Sequence, residues 1–552
     1  MRNFLTLIFP LFIILGCGSY NKKSGSENLQ LHDNISLYSD YDDPKLIELQ
    51  VNIPVPNDYL CAPWYDLNAT PRPCTLDDIL HDTDPYDNYR PKIHVDVASD
   101  YPISYDGMGL MYQKGKSTRR AKQKSFRIKL DKDAPFYEGQ HTFQLNKHPY
   151  DKSRVRNKLF FDLFVGIPNM TSLRTNFTHL IVDQDSNTTD FGLFTHVEQV
   201  DKYYLLNHHL EDGKIYKAQR FDFRYKENLA IDAEGVPLHP KAFDQIIEPQ
   251  KGSNHKKLIE MIKAVDEAPR NKTFMNIFNK YFDYNNYVTW MAINYVTCNA
   301  DTINQNFFLY NPKGSDKFFF IPWDYDGAST HLDTLPRWQL GFGRYWDIPL
   351  HKKFLLIKEN REAVKRKIDE IHQKYINRKS ATARLLLYRP IVEPFIKSLP
   401  DSRYLKYDKW VDEFESLPNL IEKDVQLFKE QEGLPMPFWQ SVKYNGTLTI
   451  AWQRAVDFEN DPIVYDIKVA KNPLMQSPIL QYNNLSEKDL NVTSWGDIYL
   501  NTHQSLKNGI YYLKIIAKEK NNPKHYQLAF DMFRDKNNTK YYGVLQFQIP
   551  SQ

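Results

Sequence analysis

The chain has 552 residues, too many for one ordinary domain, and with 41% hydrophobic residues, 36 Tyr and 33 Phe it has ample material for buried cores. A net charge of +3, with acids and bases nearly balanced, gives no general argument for a nucleic-acid or acidic-polymer partner. CxxC, HExxH and a Walker-type loop are absent, which removes the commonest redox, zinc-hydrolase and P-loop readings.

In chain order, the start MRNFLTLIFPLFIILGC sets Arg2 before an apolar stretch, Phe4 to Leu15, too short to span a bilayer but suited to a signal-peptide core. Its end, ILGC, resembles a bacterial lipobox, so residues 1–17 are expected to be a lipoprotein signal peptide and Cys17 the lipidated residue; an ordinary signal peptide that contains a cysteine is the alternative. Residues 18–42 read as a flexible tether, because small and polar residues cannot bury enough surface to fold. Cys61 and Cys74 flank a Pro-rich loop and, in an exported chain, could close a disulfide. Cys298 reads as a small buried hydrophobe.

Residues 45–54 and 89–100 alternate like strands. Residues 108–131 read as strand, basic loop, strand. In SFRIKL, Phe126, Ile128 and Leu130 would face a core, and Arg127 and Lys129 the other side. Residues 151–168 read as a helix with Val155, Leu159 and Leu163 on one face, Asp151 as a cap, and Gly166 and Pro168 as the stop. A hairpin is predicted over 176–201, a short strand over 214–218 and helices over 254–298. Two aromatic strand-like runs follow, Phe307 to Tyr310 and the FFFIP before Trp323, joined by the turn sequence NPKGSDK. Residues 350–432 are helical in pattern. From about 440 onward short alternating strands predict a small β-sandwich. Trp452 and the later tyrosine pairs make this region resemble a fibronectin type III domain, with a spacer or binding platform as its role.

Asp301 and Asn306 stand five apart before the first aromatic run, and Asp324 and Asp326 follow the second. If the runs pair as a hairpin, Asp301, Asn306 and Asp324 gather at one end. Two carboxylates and an amide oxygen are hard ligands that suit Mg²⁺ bound together with phosphate oxygens. D-x4-N, then strand, turn, strand and Asp, is the layout that protein kinases use. Aspartates before strands also serve as turn caps, and that reading stays open on spacing alone. Lys114 to Lys129 supplies a Gly, hydroxyls and several cations before a strand, which fits either a phosphate grip or a solvated basic loop.

The order of these motifs resembles that of the spore-coat-H (CotH) kinase family. The carriers are GKST followed by KSFRIKL at 124–130, then Asp151, Ser153 and Arg156, then GLFTHVEQVD at 192–201, then Gly213 to Lys217, then D-x4-N at 301–306 and PWDYD at 322–326. The resemblance implies an α+β chain with an atypical protein-kinase-like fold over 43–435, an N-terminal β-rich lobe and a mostly helical C-terminal lobe, followed by the all-β sandwich at 440–552. It implies ATP with Mg²⁺ or Mn²⁺ as cofactors. Asp301 is then the catalytic aspartate, Lys124 the phosphate-contacting lysine, Gly115, Ser117 and Glu198 nucleotide-binding residues, and Asn306, Asp324 and Asp326 metal ligands. The family loop begins Arg-Gly-Asn; here it is Lys114-Gly115-Lys116. The expected function is an exported, lipid-anchored kinase acting on Ser or Thr of a surface or periplasmic protein, with no nucleic-acid partner. A catalytically silent surface-binding protein is the alternative, and a metal-dependent phosphohydrolase a third reading.

Overall fold

The computed structural model describes residues 31–39, 41–54, 59–61, 70–84, 89–102, 104–330, 335–493 and 496–550. The expected signal peptide, Cys17 and the tether up to residue 30 lie outside the described residues. Within them, the chain is of mixed α+β type, and no helix is long and apolar enough to cross a membrane.

Period-two alternation in the N-terminal part produces a closed seven-stranded barrel. Its strands are β1 (Leu46–Ile53), β2 (Ile93–Tyr101), β3 (Tyr105–Gln113), β4 (Phe126–Leu130), β5 (Thr142–Asn146), β6 (Thr175–Gln184) and β7 (Asn187–Val197). The order around the barrel is β1-β2-β3-β4-β5-β7-β6, and β6 closes it by pairing in parallel with β1, Leu46 opposite Phe177. In β1 the buried residues are Ile47, Leu49, Val51 and Ile53, which pack with Val95, Val97, Ile128, Phe143 and Leu180. β5 is hard to read from sequence because its pattern does not alternate: Gln144 is as buried as its neighbours, its amide bonded to the Glu198 carbonyl at 3.3 Å.

Cys61 and Cys74 form a disulfide and are buried in the barrel core with Leu76 and Ile79. The closed loop is short, so replacing both cysteines by serine is expected to cost about 3 kcal/mol, read as a lower urea midpoint. An unchanged midpoint would show that the bond does not brace the barrel.

The tether expectation fails over its last part. Leu31 is buried in the main core, residues Ile35–Tyr38 form a 3-10 turn, and Asp33 accepts from the Ser172 amide at 3.0 Å and from the Tyr38 hydroxyl at 2.7 Å. Further on, Arg384 stacks 3.4 Å from the Tyr41 ring and pairs with Asp42 at 2.8 Å. Polar composition hid this, because the segment is held by paired charges and not by a run of apolar residues.

A second sheet runs β9-β8-β10-β11, formed by β8 (Gly213–Ala218), β9 (Ile247–Lys251), β10 (Phe307–Pro312) and β11 (Phe319–Pro322). β10 and β11 make the expected hairpin, with Phe307 opposite Pro322. The Asn311 amide closes its turn onto the Ser315 and Lys317 carbonyls. The helix Tyr284–Val296 packs on this sheet at β11, the helices Lys358–Lys374 and Tyr407–Gln431 pack on that helix, and Arg378–Lys397 packs against Tyr407–Gln431. Asn286 acts as an extra strand for β11: its amide donates to the Phe320 carbonyl at 3.0 Å and its oxygen accepts from the Phe320 amide at 2.7 Å. Trp290 lies 4.5 Å from the Phe320 ring.

Between Met436 and Phe438 the packing passes from the main core to a separate one. There two antiparallel sheets, carrying Leu448–Trp452 and Ile463–Ala470 respectively, bury Ile450, Trp452, Ile467, Val469 and Leu513 together. This region touches the helices through Trp439, whose indole donates to Asp347 at 2.8 Å, and through Phe458, on which Arg361 stacks at 3.8 Å.

Candidate active site

A cavity of about 650 Å³, within the usual range for small-molecule sites, opens between the barrel and the second sheet. Gly115, Ser117, Asp301, Asn306, Asp324 and Asp326 all line it. The hairpin explains the convergence of the acids: pairing Phe307 with Pro322 puts Asn306 beside Trp323 and Asp324 at the same strand ends. Asn306 and Asp324 both have left-handed backbones, φ 58° and 59°, a conformation that Asn and Asp tolerate better than most residues. Asp301 reaches the same corner, where its Oδ2 comes within 3.5 Å of the point a Cβ on Gly327 would occupy.

The loop that carries these acids is held from behind. The Tyr325 amide donates to Asn157 Oδ1 at 2.8 Å, and the Asn299 amide donates to the Asp324 carbonyl at 3.4 Å. Arg156 donates to the carbonyls of Ala328 at 2.9 Å and Ser329 at 3.2 Å, and is itself clamped between Asp151 and Glu413. The helix expected to start at Asp151 begins at Arg156. Asp151 still serves that start, accepting from the Arg156 amide at 3.0 Å. The Asp-x-Ser-x-x-Arg motif is therefore a brace for the acidic loop.

Facing the acids is a cluster of cations. Lys114, directly after β3, donates to Asn146 at 2.6 Å, and its Nζ lies 5.6 Å from the Trp323 ring; Lys217 on β8 lies 5.3 Å from the same ring. Arg127 of β4 completes the set and is held by Gln144 at 3.0 Å. Gly115 (φ 89°) makes the turn between Lys114 and Lys116, and a side chain there would collide with Thr118. Lys116 donates to Gln219 at 2.9 Å, and Gln219 in turn to Glu248 at 2.7 Å.

The electrostatics fit a phosphate-and-metal ligand. Burial, then Arg127 and Lys217, push the Lys114 ammonium well below its ordinary range, and burial lowers Lys217 as well. Cations crowded in this way favour a bound anion. On the other wall, burial and then Asp326 raise Asp324 to about 7, and the surrounding protein, then Asp326, raises Asp301. Acids that disfavour one another's charge favour a bound cation. His148 approaches Asp326 at 3.3 Å. Among the described residues no group of three or more His, Cys, Asp and Glu side chains is placed to hold a metal. The donors are two or three carboxylates and the Asn306 amide, a set that suits Mg²⁺ or Mn²⁺ when phosphate oxygens and water complete the shell.

Two expected site residues are elsewhere. Lys124 does not line the cleft; its ammonium donates to the Arg119 carbonyl. The strand period is the reason. Lys124 falls in step with Phe126 and Ile128, which face the barrel interior, while Ser125 and Arg127 fall on the opposite side and line the cleft. Glu198 also points away. It pairs with Arg174 at 2.5 Å and with His208 at 3.0 Å, and His208 pairs with Asp33. Lys114, Arg127 and Lys217 are the cations that take the place assigned to Lys124. Arg127 was legible as the residue out of step with the apolar face. Asn146 and His148 were not, because β5 itself carries no clear strand signal.

The family described as CotH kinase protein matches residues 111–426, more than half of the chain. The chain belongs to that family. The match takes in every cleft residue named above from Lys114 to Asp326. The inner spore coat protein H of Bacillus subtilis (strain 168) is 25% identical over 314 residues, which cover 56% of this chain and 82% of that protein. Among solved structures, the HipA–HipB toxin–antitoxin complex of Shewanella oneidensis MR-1 with operator DNA aligns at TM-score 0.24 and 12% identity, covering 61% of this chain and 66% of that one, just under two thirds. The twitchin kinase region of C. elegans aligns at TM-score 0.15 and 12% identity, covering 72% and 69%. Scores of this size carry no argument about the fold.

Proposed function

We propose that this CotH-family chain is an exported, lipid-anchored atypical protein kinase that transfers the γ-phosphoryl group of ATP to Ser or Thr hydroxyls of a surface or periplasmic protein. The observation that carries the reading is the cleft itself, with Asp301, Asn306 and Asp324 on one wall and Lys114, Arg127 and Lys217 on the other. Asn306 and Asp324, with Asp326 beside them, would hold Mg²⁺ or Mn²⁺, which supplies charge neutralisation on the phosphates. Asp301, exposed at the same corner, would orient the acceptor hydroxyl and take its proton. Lys114, Lys217 and Arg127 balance the phosphate charge, and Gly115 lets the loop backbone approach it closely. Lipidation at Cys17 and export remain part of this proposal on the strength of the ILGC motif.

The direct test is transfer of label from γ-labelled ATP, with Mg²⁺ or Mn²⁺, to a Ser-rich acceptor. ATP binding without transfer would point to a catalytically silent binding protein, and absence of ATP binding would remove the kinase reading. The cation assignment has its own contrast. Lys217→Met is expected to lower transfer by on the order of 10²-fold, through loss of a charge aimed at the phosphates. Lys124→Met is expected to stay within about 3-fold of the parent, since substitutions away from the reacting groups leave chemistry largely intact. Equal losses in both would contradict the assignment.

A further inference from the structure

Three segments far apart in sequence meet on one face of the barrel side. Ile35, Phe136 and Leu206 are large apolar residues there with 53%, 48% and 69% of their surface exposed. Contacts between their neighbours link the three segments. The Phe136 and Tyr203 rings lie 4.9 Å apart, and Tyr203 and Leu206 stand three apart on the helix Lys202–Asn207. The Asn207 amide donates to the Gly139 carbonyl at 3.1 Å, and the Asn34 amide donates to the Asn207 carbonyl at 2.9 Å. Lys202 sits beside them, its ammonium 4.6 Å from the Tyr203 ring.

The same segments are pinned from beneath by the buried charge cluster. Asp33 holds the first segment to His208, His208 closes onto Glu198, Glu198 onto Arg174, and Arg174 donates to the Glu138 carbonyl at 2.8 Å. An exposed apolar patch fixed in this way is a prepared surface and not a loose loop.

The chain itself says what covers it. Leu31, in the main core, stands two residues before Asp33, and residues 18–30 lie between it and Cys17. Those residues reach at most about 50 Å even when fully extended. The chain leaves the body beside this face, where Asp33 pairs with His208 and Asn34 donates to the Asn207 carbonyl, so a lipid on Cys17 would tether the body to the bilayer from this side. Phe, Tyr and Leu above a Lys is the composition that settles at the boundary between headgroups and acyl chains.

We propose that the face made by Ile35, Phe136, Tyr203 and Leu206 lies against the membrane to which Cys17 is anchored, and that it orients the body on that surface. This rests on the reading of Cys17 as lipidated. The other thiols leave room for a clean test, because Cys61 and Cys74 are bonded to each other and Cys298 is buried. The full lipidated chain carrying Leu206→Cys is labelled with an environment-sensitive fluorophore and mixed with phosphatidylethanolamine/phosphatidylglycerol vesicles, with and without nitroxide-headgroup lipid. The expected result is quenching at residue 206 by about two-fold or more, and none at a label on Val492→Cys, an exposed residue of the C-terminal sheets. A chain that sediments with vesicles but is unquenched at residue 206 overturns the proposal while leaving the anchor intact. A chain that stays in the supernatant overturns the anchor, and the proposal with it.

Discussion

Asparagine in place of Asp324 is expected to lower phosphoryl transfer by on the order of 10³-fold while leaving the denaturation midpoint unchanged or slightly higher. The two halves of this expectation share one cause. Asp324 is held among protein groups beside Asp326, and burial together with that neighbour raises its carboxyl to about 7. A neutral side chain of the same shape relieves the repulsion, so the fold gains or holds. The cost falls on function, because the charge that would draw in the metal is gone. Asp301→Asn should cost a similar range, about 10²- to 10⁴-fold, through the acceptor proton. The variants should then part in binding: Asp324→Asn weakens metal-dependent ATP affinity, and Asp301→Asn preserves it. Initial rates and nucleotide titrations with and without Mg²⁺ separate the cases. Full activity in both variants would place the chemistry outside this cleft.

The largest effect on stability is expected at Glu198. Glu198→Gln leaves Arg174 and His208 buried without their shared counter-charge, and removing one member of a buried ionic set typically costs about 3–5 kcal/mol. Burial works to raise Glu198, but His208 and Arg174 hold it down at about 2. Burial likewise works against the charged His208, but Glu198 and Asp33 hold it up at about 9. The depressed acid contributes stability that is present above its unfolded range and is lost as pH falls towards about 2. The raised histidine contributes stability that is present below its unfolded range and is lost as pH rises through about 9. The parent chain should therefore show its widest margin over Glu198→Gln near pH 5 to 6, narrowing on both sides, when urea midpoints are measured at pH 3, 5.5 and 9.5. A margin that does not change with pH would show that the cluster does not act through charge.

These two sites illustrate what was legible in the chain. Asp301, Asn306, Asp324 and Asp326 could be brought together from sequence because a short hairpin joins them: 16 residues from Phe307 to Pro322 suffice to close the corner. Gly115 and Ser117 sit in the loop between two strands whose alternation is plain. Lys124 and Glu198 were placed in the site by their motifs, and each was sent elsewhere by local geometry. In Lys124 the two-residue strand period decided the direction. In Glu198 two partners, Arg174 and His208, the latter also held by Asp33, outweighed the cleft. Residues 31–42 looked too polar to fold, yet Asp33 and Tyr41 find partners that no nearby sequence announces.

By itself the sequence determined the α+β character, the acidic corner, the Gly115 turn and the change of texture near residue 440, because each of these depends on contacts or periods spanning a few residues. The tertiary structure alone decided which cations face the acids, that the N-terminal strands close into a barrel, and that residues 31–38 belong to the folded body. Lys114, Arg127 and Lys217 come from strands or strand ends separated by as much as about a hundred residues of chain, and they meet only once the barrel has closed against the second sheet. Such meetings are set by long-range packing and charge pairing, to which local propensity and spacing are blind.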